Sequence, residues 1–369
     1  METDILTFSD ELGPSKIVHI YNPKNDLRAI LAIDNVAAGP SIGGIRMAKD
    51  VTEEEAFRLA RAMTLKNAAA GLPHGGGKAV IQADPKTLSK EQKETLIRSF
   101  ALAIELLSEY IPGPDMGTDE VCMAWIKDEI GRAVGLPREL GGIPLDEIGA
   151  TGLGLTEAAK TAGDFYGVDL KGAKVCIQGF GAVGKHAARF FSQLGALIIS
   201  VADSQGTVTN IKGLDLETLT AVKQETGSVI HYKDGEKGDT LEIVKVPCDI
   251  WIPCARPDII HVDNVSKLQT KLIVQGANIP ISREAEEILF KNGVHVIPDF
   301  IANAGGVICA AVEYHGGSQQ AALSMVKEKI SFNTNTVIRQ SWEQKIPPRE
   351  VASKLALTRV KKAMQLRRD

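Results

Sequence analysis

The segment Gly179-Phe-Gly-Ala-Val-Gly184 narrows the possible folds of this chain more than any other. It follows a short apolar run, Lys174-Val-Cys-Ile-Gln, and opens a stretch of helical spacing that continues to about Leu194. The next apolar run, Leu197-Ile-Ile-Ser-Val-Ala, ends at Asp203, 24 residues after the first glycine. A turn this tight needs the first glycine, close approach of a pyrophosphate needs the second, and tight helix–strand packing needs the third. The helix N-terminus then faces the phosphates. The pattern predicts a parallel α/β unit that binds a dinucleotide through Gly179, Phe180, Gly181, Ala182, Val183 and Gly184, with Asp203 on the adenosine ribose hydroxyls. An aspartate there repels a 2′-phosphate, so NAD is expected, with NADP possible if the neighbours of Asp203 override its charge. The alternative is a glycine turn that serves packing alone.

Further strand candidates are Asp249-Ile-Trp-Ile-Pro, Leu272-Ile-Val-Gln and Val294-His-Val-Ile, with a helix around Ala285 to Phe290 between the last two. Strand and helix alternate from 149 to 325, which argues for a parallel sheet covered by helices. Before it, Val18-His-Ile and Ala29-Ile-Leu-Ala-Ile read as strands about the turn Asn22-Pro-Lys-Asn. Helices are expected from Thr52 and from Ser89, each opened by a capping box (Thr52 with Glu55, Ser89 with Gln92), and a third after Thr118. Residues 326–369 read as polar helix broken at Pro347-Pro348. The 369 residues suit two domains at roughly 150 residues each. We expect 1–148 with 326–369 as one and 149–325 as the other.

A net charge of −4 gives no general attraction to nucleic acid or anionic lipid. No apolar run approaches the ~18 residues of a membrane span, and the acidic opening Met1-Glu-Thr-Asp-Ile-Leu lacks the features of a secretory leader. Cys122, Cys176, Cys248, Cys254 and Cys309 form no CxxC pair, and no metal-ligand constellation is visible. These features predict reduced thiols in a cytoplasmic protein.

Lys78 follows Gly75-Gly-Gly, and a side-chain-free backbone there is expected to leave room for a substrate beside its amine. A lysine serves as a base when burial and nearby positive charge lower its pKa. Lys66, near the end of its helix, is a candidate for that charge or a surface residue suited to the helix dipole. Asp115, between prolines and Gly117, reads first as a turn former. Asn278 and Asn303 stand beside glycines near predicted strand ends, where open parallel sheets hold ligands or helices begin. His74 reads more readily as structural than catalytic.

Taken together, Gly39-Pro-Ser-Ile-Gly-Gly-Ile-Arg46, Met63-Thr-Leu-Lys-Asn-Ala-Ala-Ala-Gly71, Gly75-Gly-Gly-Lys78, Pro114-Asp-Met-Gly-Thr118, Gly149-Ala-Thr-Gly152, the Gly179 loop and Asn303-Ala-Gly-Gly306 resemble the glutamate/leucine/phenylalanine/valine dehydrogenase family. The resemblance spans nearly the whole chain. It implies a two-domain α/β enzyme: an N-terminal substrate and oligomerisation domain, to which the C-terminal helices return, and a Rossmann-like dinucleotide domain. The implied reaction is reversible: L-amino acid, NAD(P)+ and water give a 2-oxo acid, ammonium and NAD(P)H. By this resemblance Lys66 matches the lysine that holds the α-carboxylate, Lys78 the one that activates water, and Asp115 the carboxylate that moves protons at the amino group. Thr151 and Asn278 match contacts to the nicotinamide half of the cofactor, Asn303 a segment lining cofactor and substrate, and Ala255 a contact near the ribose. Homo-oligomers are usual in the family.

Ile42, Gly43, Gly44, Val307 and Ala310 fall at positions that line the substrate in the family. Glutamate dehydrogenases typically carry lysine where Ile42 stands and serine where Ala310 stands. Burying a carboxylate against Ile and Ala costs several kcal/mol, to an order of magnitude. The expected substrate therefore has an apolar branched-chain or aromatic side chain. The alternative is glutamate held by a different cation, with Arg46 or Lys49 nearby in sequence. A reading from another class is a catalytically silent dinucleotide-binding regulator.

Overall fold

A computed structural model describes residues 8–367; the acidic opening Met1–Leu6 and Arg368 of the basic tail lie outside that range. The chain divides into two compact units. Among the described residues one takes 8–144, Val307–Ala322 and 353–367; the other takes Leu145–Gly306 and Leu323–Ala352.

The first unit contains β1 (Lys16–Asn22), β2 (Leu27–Asn35), β3 (Ser41–Ala48), α1 (Glu53–Ala69), β4 (Gly75–Gln82), α2 (Lys90–Ala103), β5 (Tyr110–Pro114) and α3 (Glu120–Ile130). Its strands form a mixed sheet in the order β1-β2-β4-β3-β5. β2 pairs antiparallel with β1 and β4, whereas β3 lies parallel between β4 and β5. The pleat sends Leu27, Leu31, Ile33, Ile45, Met47 and Ile81 to one face, where Ile97 and Phe100 of α2 and Met123 and Ile126 of α3 bury them. On the other face Ala32 and Val80 pack against Ala56 and Ala60 of α1.

Both expected helix starts are present, with a difference. Ser89 and Gln92 exchange the two bonds of a full capping box. At α1 only half the box forms: Thr52 accepts from the Glu55 N–H at 3.1 Å, and the Glu55 carboxylate turns instead to Arg46. The predicted hairpin β1–β2 is present. β3, β4 and β5 were not legible as strands.

The second unit opens with α4 (Leu145–Ile148) and α5 (Ala150–Tyr166), followed by β6 (Lys174–Gln178), α6 (Ala182–Gln193), β7 (Leu197–Ala202) and β8 (Thr207–Thr209). Then come α7 (Leu216–Thr226), β9 (Glu236–Gly238), β10 (Ile250–Pro253), β11 (Leu272–Val274), α8 (Arg283–Lys291), β12 (His295–Ile297) and α9 (Asp299–Ala302). The chain ends with α10 (Gly305–Tyr314), α11 (Gln319–Gln344) and α12 (Pro348–Gln365). The sheet order is β12-β11-β10-β6-β7-β8-β9. β12, β11, β10, β6 and β7 are parallel, and the β8–β9 extension is antiparallel. Strand order reverses at β6, whose C-terminal end carries the Gly179 loop; such a switch point is where open α/β sheets take ligands.

The expected boundary at 325/326 is displaced. Leu323–Ala352 groups with the second unit because its polar-looking helix carries specific partners there. A Cβ on Gly154 would fall 2.5 Å from Ile330 Cδ1, Trp342 meets Phe165 edge-on at 6.1 Å, and Arg349 pairs with Glu286 and Asp299. The later part of α12 returns to the first unit, where Arg359 donates to the Ala68 and Ala69 carbonyls at the end of α1.

Candidate active site

Lys78 lies on β4, on the same side of the pleat as Val80, and is 6% exposed. Its amine forms a close ion pair with Asp115, just beyond β5. Arg46, on β3, donates through Nε to the same Asp115 oxygen, Oδ2, at 3.1 Å. Arg46 also reaches Glu55 of α1 at 2.5 Å. Two cations and two carboxylates thus form one chain across β3, β4, β5 and α1. Burial pushes the Lys78 amine down; Asp115 opposes this, Arg46 adds to it, and the net lies below the ordinary lysine value. Burial pushes the Asp115 carboxyl up, but Lys78 and Arg46 outweigh it and hold it below the usual carboxylate range.

The backbone makes this arrangement possible. Asp115 is both turn former and ion-pair partner: its carbonyl accepts from Thr118 N–H at 3.0 Å while its own N–H donates to the Thr118 hydroxyl, also at 3.0 Å. That hydroxyl donates to Ile45 O at 2.8 Å, tying the turn to β3. Gly117, at φ +83°, lies so close to Met47 that a Cβ would fall 2.2 Å from its carbonyl oxygen.

The glycines before Lys78 do not clear space for a substrate, and that expectation is corrected. They let the protein pack against itself, backbone at the first two and side chains at the third: a Cβ on Gly75 would fall 1.7 Å from Asn35 O, one on Gly76 2.0 Å from Thr64 N, and one on Gly77 2.8 Å from Ser41 Oγ. Gly44 lets the Asp115 segment pack beside the amine: a Cβ there would fall 2.7 Å from Asp115 Cβ, 2.8 Å from Pro114 O and 3.3 Å from Lys78 Nζ. Gly43 is held by the Tyr110 hydroxyl, which donates to its carbonyl at 2.9 Å. Ile42 is 3% exposed and shares its side of β3 with Gly44 and Arg46. Lys66 is half-buried in the last turn of α1. Val307 and Ala310 lie on α10, half-buried and buried respectively. Further along this helix, Glu313 accepts from the Leu136 and Ile143 N–H groups. His74 is buried and contacts Pro40 O at 3.0 Å and His315 at 3.2 Å.

In the second unit each glycine of the loop has a distinct physical role. Gly179 has φ +101°, and a Cβ there would fall 2.9 Å from Ala255 N; one on Gly184 would fall 1.8 Å from Gly179 O. Gly181 faces open space, with nothing within 4 Å of a Cβ. The loop lines a cavity of about 600 Å³ together with Gln178, Asp203 and Ala255. Phe180 also lines it, while Ala182 and Val183 begin α6. Asn303 donates to Gly276 O and to Asn278 Oδ1, each at 3.1 Å. A Cβ on Gly305 would fall 2.1 Å from Ala150 O, and one on Gly306 3.6 Å from Thr151 Oγ1. The fold therefore gathers Thr151, Asn278 and Asn303 about one segment. The buried Asn303 Oδ1 and Gln178 Oε1 lack protein partners. Buried orphan acceptors are costly, and an open glycine at a helix N-terminus suits a phosphate. These residues fit a dinucleotide.

Sequence reasoning missed Arg46, Glu55 and Thr118 as partners in this cluster, and it missed Tyr110 altogether. Glu55 was visible only as a capping residue. The signal for Tyr110 was hidden in a strand of Pro and Gly.

Comparison with known proteins covers both units of the chain. Residues 14–132 match the Glu/Leu/Phe/Val dehydrogenase dimerisation domain, and residues 141–368 match the Glutamate/Leucine/Phenylalanine/Valine dehydrogenase profile. A glutamate dehydrogenase of Aeropyrum pernix is 39% identical over 356 residues, 90% of this chain and 85% of that one. An NADP-specific glutamate dehydrogenase of Saccharolobus shibatae is 38% identical over 358 residues, 90% and 83% of the two chains. A crystal structure of hetero-hexameric glutamate dehydrogenase from Thermus thermophilus, in a leucine-bound form, superposes with a TM-score of 0.87 at 29% identity, covering 96% of this chain and 90% of that one. With the Lys78–Asp115 pair in one α/β unit and the glycine loop in the other, the chain belongs to the glutamate/leucine/phenylalanine/valine dehydrogenase family and is an amino acid dehydrogenase that uses NAD or NADP.

Proposed function

We propose that the chain oxidatively deaminates an L-amino acid with an apolar side chain, and that Lys78 and Asp115 carry the proton transfers. The observation that carries the catalytic reading is the ion pair between the buried Lys78 amine and the half-buried Asp115 carboxylate, packed beside Gly44. The bound nicotinamide supplies the acceptor for the hydride that leaves Cα. Asp115, held ionised, takes a proton from the substrate ammonium, because an amine must be neutral before hydride departs. Lys78, its affinity for a proton lowered by burial, draws a proton from the water that attacks the resulting imine carbon. Lys66, at the end of α1, is proposed to hold the α-carboxylate. Thr151, Asn278 and Asn303 are proposed to orient the nicotinamide.

The apolar preference rests on Ile42, which is buried and apolar on the strand that carries Gly44 and Arg46. Arg46 is a poor substitute cation for a side-chain carboxylate, since Asp115 and Glu55 already hold its guanidinium. Lys49 is exposed beyond the end of β3. A second reading, glutamate as substrate, is favoured by the activity named for the relatives that match most of the chain. Homo-oligomerisation through residues 14–132 is proposed on the match to a dimerisation domain.

The test is nicotinamide absorbance with NAD+ or NADP+ and single L-amino acids: leucine, isoleucine, valine, phenylalanine and glutamate. Turnover on an apolar member with little on glutamate is the expected result, and a preference for glutamate overturns the pocket argument. Replacing Lys78 by Ala is expected to lower kcat by about a hundredfold to ten-thousandfold, with dinucleotide binding retained. Unchanged kcat would remove Lys78 from the mechanism.

A further inference from the structure

The lining of this cavity carries more positive than negative charge, and Asp203 itself is already spent. Its Oδ1 accepts from Gln205 N–H at 2.9 Å and the Ser228 hydroxyl at 3.0 Å. Its Oδ2 accepts from Lys223 Nζ at 2.7 Å and Val229 N–H at 2.8 Å. An ionised carboxylate offers about four lone-pair sites, and protein donors fill all four. Asp203 is 8% exposed. In the sequence reading this carboxylate received the ribose hydroxyls and repelled a 2′-phosphate. In the fold it is an internal acceptor whose charge Lys223 balances.

Lys223 sits on α7 and also donates to the Gly227 carbonyl at 2.8 Å, which leaves one of its three N–H groups. It lines the cavity with Arg256, and Ser204 and Thr240 add hydroxyls. The ionised side chains lining this cavity are Asp203, Lys223 and Arg256, one negative and two positive. A phosphate monoester brings a charge of about −1.5 to −2 near pH 7. A guanidinium matches its oxygens in a planar fork, and Arg256 is exposed at the cavity wall.

We propose that Lys223 and Arg256, not Asp203, read the 2′ position of the adenosine ribose, so that this chain binds NADP in preference to NAD. The proposal rests on the reading of this cavity as the dinucleotide site. Calorimetric titration of the full-length protein tests it with NADPH, NADH, 2′,5′-ADP and 5′-AMP. NADPH is expected to bind more tightly than NADH, and 2′,5′-ADP more tightly than 5′-AMP, each by roughly tenfold or more. Arg256→Gln, at an exposed position, is expected to lower the NADPH-to-NADH affinity ratio by about tenfold. Lys223→Met is expected to lower it further, because it removes a cation and uncovers the charge of Asp203. NADH bound as tightly as NADPH, or an affinity ratio unmoved by either substitution, overturns the proposal while leaving the site standing. Failure to bind any of the four probes overturns the site as well.

Discussion

Asp115 Oδ2 receives both Lys78 and Arg46, so one oxygen of the carboxylate is committed to the protein. By the proposed mechanism the other oxygen is the one that takes the proton of the substrate amine. In the same proposed mechanism Arg46 is a positioning residue: it acts through Asp115 and is itself fixed by Glu55. Its charge lowers the proton affinity of Asp115 and of Lys78 alike. Arg46→Gln removes that charge, so both groups retain their protons to higher pH. In the deamination direction both must be deprotonated to act. The acid limb of the kcat/KM profile is therefore expected to move to higher pH, with the plateau preserved better than in Lys78→Ala. A profile that keeps its position while its height falls would assign Arg46 to substrate binding and remove it from this relay.

The elements that hold these residues are the ones least visible in the sequence. Gly43, Gly44, Gly75, Gly76, Gly77, Pro112, Gly113 and Pro114 read as loop by propensity, yet β3, β4 and β5 are adjacent strands at the centre and edge of a sheet. Glycine weakens a strand by its own conformational entropy; here it is required because backbone approaches where a methyl would stand. By contrast, β6, β7, β10 and β11 were legible because parallel strands buried on both faces are continuous apolar runs. The motif Gly179–Gly184 was legible with its roles, since each glycine answers a separate steric demand. Glu55 was misread because the same T-x-x-E spacing serves a cap or, as here, a tertiary partner. Contact of α1 with β4 supplies the test. A methyl on Gly76 would meet Thr64 N at 2.0 Å and Ala60 O at 2.5 Å, both backbone of α1. Gly76→Ala must push α1 off the sheet, and α1 carries Glu55 and Lys66. Overpacking of this kind costs typically 1–3 kcal/mol, read as a lowered urea midpoint, with a larger fractional loss of kcat/KM than of NADPH affinity. A normal midpoint with normal activity would mean that α1 yields without consequence, and the close packing would not be what positions the site.

At the scale of the whole chain, the second unit is closed by a residue far from it in sequence. Arg349 donates to Glu286 Oε2 at 2.6 Å and to Gln275 Oε1 at 2.7 Å. It also stands 2.8 Å from Asp299 Oδ1. Glu286 and Asp299 are 5% and 4% exposed, so neither carboxylate has water to fall back on. The Asp299 carboxylate also accepts from Ile279 N–H at 2.8 Å, beside Asn278. This guanidinium, with Ile330 at Gly154 and Trp342 on Phe165, is a physical reason that a polar stretch after residue 325, which reads as a solvated tail helix, groups with the dinucleotide-binding unit. Arg349→Met keeps the apolar stem and leaves two buried carboxylates without their cation. Breaking a buried pair in this way costs about 3–5 kcal/mol, so the variant is expected to lose that much in urea unfolding. NADPH affinity should fall with it, since Asp299 anchors the segment before Asn303. The decisive comparison adds Glu286→Gln and Asp299→Asn to Arg349→Met. If the loss comes from unpaired charge, the triple variant regains stability over Arg349→Met. If it remains as unstable, the loss lies in packing and hydrogen bonds of the guanidinium, and the electrostatic account of how the C-terminal segment is held is wrong.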